Sequence, residues 1–259
     1  MAFVKSILLA FSMFSAIPMP RVEWNEKNMR YLMPAFPLIG LVIGLLMRAI
    51  LYLADAIAWS KEAEVIVRAL LPLLLMFLPL AVTGGIHMDG FMDTCDALGS
   101  HADREKKLAI MKDSHCGAFA VMGAVVYFIA DFVLLSLWCR FPSGSLLLIF
   151  LFSRLLSAFS VATFPPAKES GLVRTFSDAG ARTFTAVWSA VFFVLITVAG
   201  FFFFRWQALA LAVTQLFVFV CYFFLTRRHF GGITGDTSGW FLQMAEILSL
   251  LAGLFFRAG

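Results

Sequence analysis

An all-α, polytopic transmembrane helix bundle is the fold that the sequence predicts, and three observations carry that prediction. Of 259 residues, 61% are hydrophobic and only 14% charged, with a mean hydropathy of +0.91, far from the composition of a water-soluble domain. Seven apolar stretches reach the roughly 20 residues that a helix needs to cross a hydrocarbon core about 30 Å thick. Lys and Arg also collect in alternate loops, as they do in multi-pass membrane proteins.

The first apolar run, Phe3 to Ile17, is short and ends in Pro18-Met19-Pro20. With Lys5 near its start, it could serve as a signal peptide. Lys27 and Arg30 follow on the basic side, however, so a retained interfacial or re-entrant helix is expected. The seven spans are expected near 31–54, 65–83, 117–138, 144–164, 183–204, 207–226 and 239–256. With that alternation, Lys5, Arg21, Lys27, Arg30, Arg104, Lys106, Lys107, Lys112, Lys168, Arg174, Arg182, Arg227 and Arg228 share one side. Only Lys61, Arg140, Arg205 and Arg257 fall on the other. Thirteen against four makes the first side cytoplasmic. The net charge of +4 is then a topology signal and implies no nucleic-acid partner.

No linker, low-complexity tract or charge block divides the chain, so residues 1–259 are expected to form a single integral-membrane domain. No internal repeat is evident, which disfavours a transporter built from duplicated halves. The four cysteines show no C-x-x-C spacing, so neither a zinc site nor a disulfide framework is indicated. The three polar segments with recognisable chemistry, 84–116, 165–182 and 227–238, all fall on the cytoplasmic side, where one active site can use them together.

The first of these, Gly84-Gly85-Ile86-His87-Met88-Asp89-Gly90-Phe91-Met92-Asp93-Thr94-Cys95-Asp96, follows directly on a span. Asp89, Asp93 and Asp96 sit at i, i+4 and i+7, so a helix puts all three carboxylates on one face. Acids this close repel at a membrane boundary unless a cation compensates them, and hard oxygen donors favour Mg²⁺. A solvated helix cap is the plainer reading, but Ile86, Met88, Phe91 and Met92 surround the acids, and ionisable groups at membrane boundaries are usually functional. His87 lies on the same rim, suited to substrate contact or general-base work. Downstream, Asp103 to Ser114 reads as an amphipathic surface helix, and Lys112 is a candidate phosphate contact there.

The last polar segment is Arg227-Arg228-His229-Phe230-Gly231-Gly232-Ile233-Thr234-Gly235-Asp236-Thr237. Gly231, Gly232 and Gly235 allow close backbone approach, Thr234 supplies a hydroxyl, and Asp236 is suited to capping the final helix or binding metal. Beside Arg227 and Arg228 this makes a candidate anion site. Within the spans, Arg154 and Glu246 are expected to pair with each other or to line a cavity.

Several of these segments together resemble the adenosylcobinamide-GDP ribazoletransferases, or cobalamin synthases. The similarity runs through Ser15-Ala16-Ile17-Pro18-Met19-Pro20, Gly84 to Gly90 with Asp93 and Asp96, and Ile110-Met111-Lys112-Asp113-Ser114 with Gly117. It continues in Ser153-Arg154, Pro165-Pro166 with Gly171-Leu172, and Gly231-Gly232-Ile233-Thr234-Gly235-Asp236. The resemblance implies a catalytic domain in the bacterial inner membrane, its active site facing the cytoplasm. There the 3′-hydroxyl of α-ribazole, or of α-ribazole 5′-phosphate, attacks the phosphorus nearest cobinamide in adenosylcobinamide-GDP and releases GMP. It further implies Mg²⁺ as cofactor on Asp89, Asp93 and Asp96, with Asp113 or Asp236 as further ligand or base. Lys112, Arg154, Arg174, Arg227 and Arg228 become phosphate contacts. The expected partners are the two small-molecule substrates and the lipid bilayer, with a second copy of the chain and other cobalamin-assembly enzymes as candidates. Rival readings are a CDP-alcohol phosphotransferase, whose D-x-x-D-G opening is absent, and a prenyltransferase, which would show two aspartate-rich motifs where one is found. A transporter using Arg154, Glu246 and Asp131 as ion-coupling groups is a more distant third.

Overall fold

The computed structural model describes residues 2–140, 144–167, 176 and 181–256. The architecture is an all-α bundle, with one isolated bridge and no strand among the described residues. In chain order the helices are α1 (Ala2–Phe14), α2 (Glu26–Met29), α3 (Leu32–Ala35), α4 (Pro37–Ala56), α5 (Lys61–Thr83), α6 (Ile86–Gly99) and α7 (Arg104–Ile110). There follow α8 (Ala118–Arg140), α9 (Leu146–Thr163), α10 (Arg182–Phe204), α11 (Trp206–His229) and α12 (Gly235–Phe255). Seven of them, α4, α5 and α8 to α12, are long and apolar enough to cross a membrane.

Local chemistry explains where these helices begin and end. The first expected span shortens because Pro34 and Pro37 interrupt the run after residue 31: α3 stops at Ala35, and Pro37 opens α4 where its missing N–H costs nothing. The last span begins at Gly235, earlier than expected. Thr234 and Thr237 form a reciprocal capping box there that satisfies two otherwise orphaned backbone donors. The N-terminal helix is amphipathic. It buries Leu9 and Ala10 and exposes Phe3 and Val4, and Ser6 Oγ donates to the Asn28 carbonyl at 2.7 Å, pinning α1 to α2.

At the centre of the bundle, α9 buries Leu148, Phe152, Leu155 and Ala158 along one face and also buries Ile149, Phe150, Leu156 and Val161 around the rest of its circumference. Gly40 and Gly44 let α4 reach it, since a Cβ at Gly40 would collide with the Phe150 carbonyl and one at Gly44 with Leu147. This is the small-residue spacing that allows membrane helices to pack backbone to backbone. Polar side chains fasten the remainder: Gln215 Nε2 donates to the Ile149 carbonyl at 2.8 Å, Trp138 Nε1 to Leu250 at 2.9 Å, and Gln207 Nε2 to Gly253 at 2.8 Å. Val65, Val126, Phe203 and Phe224 point outward, forming an apolar exterior suited to lipid.

Arg154, expected from the resemblance to grip phosphate, is 1% exposed and paired with Glu246 of α12. Ser153 Oγ joins both, accepting from Arg154 at 2.9 Å and donating to Glu246 at 3.2 Å. A guanidinium buried among apolar helices requires such a partner, and this pair ties α9 to α12.

Candidate functional site

The site is built where α5 ends. Gly84 and Gly85 adopt left-handed conformations, with φ of +65° and +79°. Glycine enters that region without a Cβ penalty, and the pair turns the chain out of α5 directly into α6. The Ala16 N–H donates to the Val82 carbonyl at 2.8 Å, holding the N-terminal segment against this turn. With 14 residues, α6 is too short to cross a bilayer. Instead it packs between α12 and α8.

Two glycines set how closely α6 meets α12. A Cβ at Gly90 would lie 2.7 Å from the Asp236 Cα, and one at Gly239 would lie 2.7 Å from the His87 carbonyl oxygen. Because His87 meets Gly239 while Gly90 meets Asp236, the two helices run in opposite directions through the contact. Asp236, more than a hundred residues from α6 in sequence, thereby joins its acids.

Asp89 is exposed, and Asp93 and Asp236 are half-buried. Burial, followed by the charges of Asp89, Asp236 and Asp96, pushes the Asp93 carboxyl up from 3.8 to about 6. Asp96 divides its role. Its Oδ1 accepts from the Ala120 N–H at 3.3 Å, and its carboxylate occupies the space a side chain at Gly117 would need, so it caps the start of α8. Among the described residues no three His, Cys, Asp or Glu side chains close around an ion by themselves. The donors are nonetheless all hard carboxylate oxygens, and Mg²⁺ ordinarily takes one or two of these together with substrate phosphates. Asp89, Asp93 and Asp236 fit that partial set.

Beneath the acids lies a cavity of about 140 Å³ whose walls include His87, Asp89, Asp236, Phe14, Phe36 and Phe176. Burial and the nearby Arg154 charge depress His87 from 6.5 to about 3, so its ring is uncharged near neutral pH. Its Nε2 is buried without a hydrogen-bond partner. A larger groove of about 460 Å³ along α9, α10 and α11 is lined by apolar chains such as Phe159, Phe193 and Leu216 and reaches none of the acids. The smaller cavity is the one that Asp89 and Asp236 border.

Other expected residues are placed differently. Asp113 lies on an exposed turn with its carboxylate 2.7 Å from His115 Nδ1, and that hydrogen bond holds it below the usual carboxylate range. Gly231 and Gly232 were expected to cradle an anion, but protein fills both positions. Gly231 has φ +74° beneath the Arg104 guanidinium, and Gly232 presses on the Pro165 carbonyl. The bridge Pro166 to Ile233, with Ile233 N–H to Pro165 at 2.9 Å, joins the two loops. Thr234 is spent as an N-cap, whereas Gly235 stands open at the start of α12. Lys112, Arg227 and Arg228 are exposed, and Arg227 lies over the Phe223 ring, 5.4 Å from its centroid. Arg174 lies outside the described residues.

Sequence reasoning passed over Arg104 and Lys107. Arg104 donates to the Ala167 carbonyl at 3.3 Å, and the buried Lys107 donates to His229 Nδ1 at 3.1 Å. Together they bind all three polar segments into one platform. The i, i+3 spacing of two basic residues on the inner face of α7 was the available signal.

The family model described as Cobalamin-5-phosphate synthase matches residues 6–254. A protein of Lachnoclostridium phytofermentans named adenosylcobinamide-GDP ribazoletransferase is 38% identical over 254 residues, covering 97% of this chain and 94% of its own. Proteins of the same name from Clostridium botulinum strain Alaska E43 and Desulfitobacterium hafniense are 30% and 29% identical. The first covers 97% of this chain and 98% of its own, the second 96% of each. No solved structure matches.

The raised Asp93 carboxyl has a measurable consequence. Between about pH 4 and 6 the folded protein keeps a proton that the unfolded chain has released, so this group lowers stability as pH rises through that window. In detergent with EDTA, Asp93→Asn is expected to melt above wild type near neutral pH, with the gap closing as pH falls to about 4. A pH-independent gap would contradict the crowding of the acids.

Proposed function

The chain belongs to the cobalamin-5-phosphate synthase family, and on that premise we propose that it joins adenosylcobinamide-GDP to α-ribazole, or to α-ribazole 5′-phosphate, with Mg²⁺ held by the α6 and α12 acids. The observation that carries this reading is the α6–α12 contact, where Gly90 and Gly239 bring Asp236 beside Asp89 and Asp93.

Phosphoryl transfer of this kind needs positioning and charge compensation more than covalent help. The ribazole 3′-oxygen bonds to the phosphorus that carries cobinamide, the bond from that same phosphorus to the bridging oxygen breaks, and GMP departs with the bridging oxygen and the electron pair. Asp89 and Asp93 would hold the Mg²⁺, which when bound would supply charge compensation for the diphosphate and the leaving GMP. Asp236, on the facing helix, is the base that receives the hydroxyl proton in this reading. His87 is too weak a base at about 3, and serves as a substrate contact. The exposed Lys112, Arg227 and Arg228 at this end attract the anionic corrinoid nucleotide.

The site-bearing end faces the cytoplasm, and the membrane is the bacterial inner membrane. The thirteen-to-four distribution of Lys and Arg supports this orientation, and the nucleotide substrate is a cytoplasmic type of molecule.

Purified protein in detergent with Mg²⁺ and both substrates is expected to release GMP. Asp89→Ala or Asp93→Ala should lower the rate by about a hundredfold or more while helicity is retained. Wild-type rates in both variants would remove the metal role. In intact cells, a cysteine placed by Ser100→Cys should resist membrane-impermeant maleimide and react only after permeabilisation; labelling from outside would reverse the topology.

A further inference from the structure

Two substrates of very different width must meet at one group of acids, and the cavity beneath them discriminates by size. Resting on the reaction proposed above, we propose that this cavity is the slot for the heteroaromatic base of the ribazole, leaving the corrinoid outside at the acid-lined mouth. Its volume of about 140 Å³ suits a planar bicyclic ring and excludes a corrin macrocycle. Its interior is apolar and aromatic. Phe14 of α1 stands 4.7 Å from Phe36 and 5.9 Å from Phe176, centroid to centroid, with Met33, Val161 and Leu242 completing the walls. Tilted and edge-on rings of this kind favour a flat π-system.

His87 offers this cavity an unpartnered polar atom. His87 is 7% exposed, its Nε2 has no partner, and Phe36 meets the imidazole edge to face at 5.7 Å. An orphaned polar atom at that depth costs free energy, and a ring nitrogen of the base satisfies it. Asp89 and Asp236 belong to the same cavity wall, so a base seated below them carries its attached ribose upward to the acids. The N-terminal helix, through Met13 and Phe14, closes one side of the slot and is therefore part of the specificity machinery.

The test fills the slot in the intact enzyme. Val161→Phe should raise the KM for α-ribazole about tenfold or more and leave that for adenosylcobinamide-GDP within about twofold. A ribazole analogue with a single-ring base should recover most of the loss. Equal rises in both constants, or an unmoved ribazole KM, would overturn the slot. Should Val161→Phe not fold, Met13→Cys serves instead: α-ribazole alone should protect this cysteine from alkylation, read by peptide mass, whereas adenosylcobinamide-GDP alone should not. Protection by the corrinoid alone, or by neither, contradicts the proposal. If wild type releases no GMP with any ribazole, the reaction itself fails; if GMP appears but the slot variants behave as wild type, only the slot does.

Discussion

Everything chemical in this protein depends on how closely α6 approaches the first turns of α12. The contact exists because Gly90 and Gly239 lack side chains; a Cβ at either would force the backbones apart. It places acids from two distant parts of the chain together, and the resulting repulsion is recorded in the raised Asp93 carboxyl. Asp89 and Asp236 sit in the first turns of their helices, where the N-terminal partial positive charge offsets part of that repulsion. The proposed cation would compensate the remainder, at the same geometry that costs stability.

The rest of the bundle holds that contact in place. Gly84 and Gly85 deliver α6 from α5 at the necessary angle, while Asp96 anchors it to the start of α8. The Arg154–Glu246 pair ties α9 to α12 just below the cavity, close enough for its charge to act on His87. On the opposite flank, Arg104 and Lys107 clamp the α11–α12 turn to the loop after α9. Buried charges among membrane helices are expensive unless paired, and here the Arg154–Glu246 and Lys107–His229 pairs brace the candidate site.

How much of this the sequence disclosed follows from the range of the physics involved. Spans were legible because long apolar runs are decided by composition, and their larger errors fall at Pro37, at Lys61 after the Ser60 cap and at Gly235, where proline and capping chemistry move a boundary. The shared face of Asp89, Asp93 and Asp96 was legible from helical spacing alone. Rotamer choice was not: Asp96 lies on the expected face yet turns to the Ala120 N–H. The Gly231-Gly232 turn was recognised as a place of close approach, but sequence cannot say whether ligand or protein will approach, and here Arg104 and Pro165 do. The cavity beside His87 was invisible because α1, α3 and α9 complete it with Met13, Phe14, Met33 and Val161, which individually read as core.

The central claim is that Asp89 of α6 and Asp236 of α12 act as one unit, and a double-mutant cycle on GMP release tests it most directly. If both serve a single metal–diphosphate assembly, Asp89→Asn and Asp236→Asn together should be about as slow as the slower single variant, since the second change removes nothing that still functions. Losses that multiply, as for independent sites, would contradict the account.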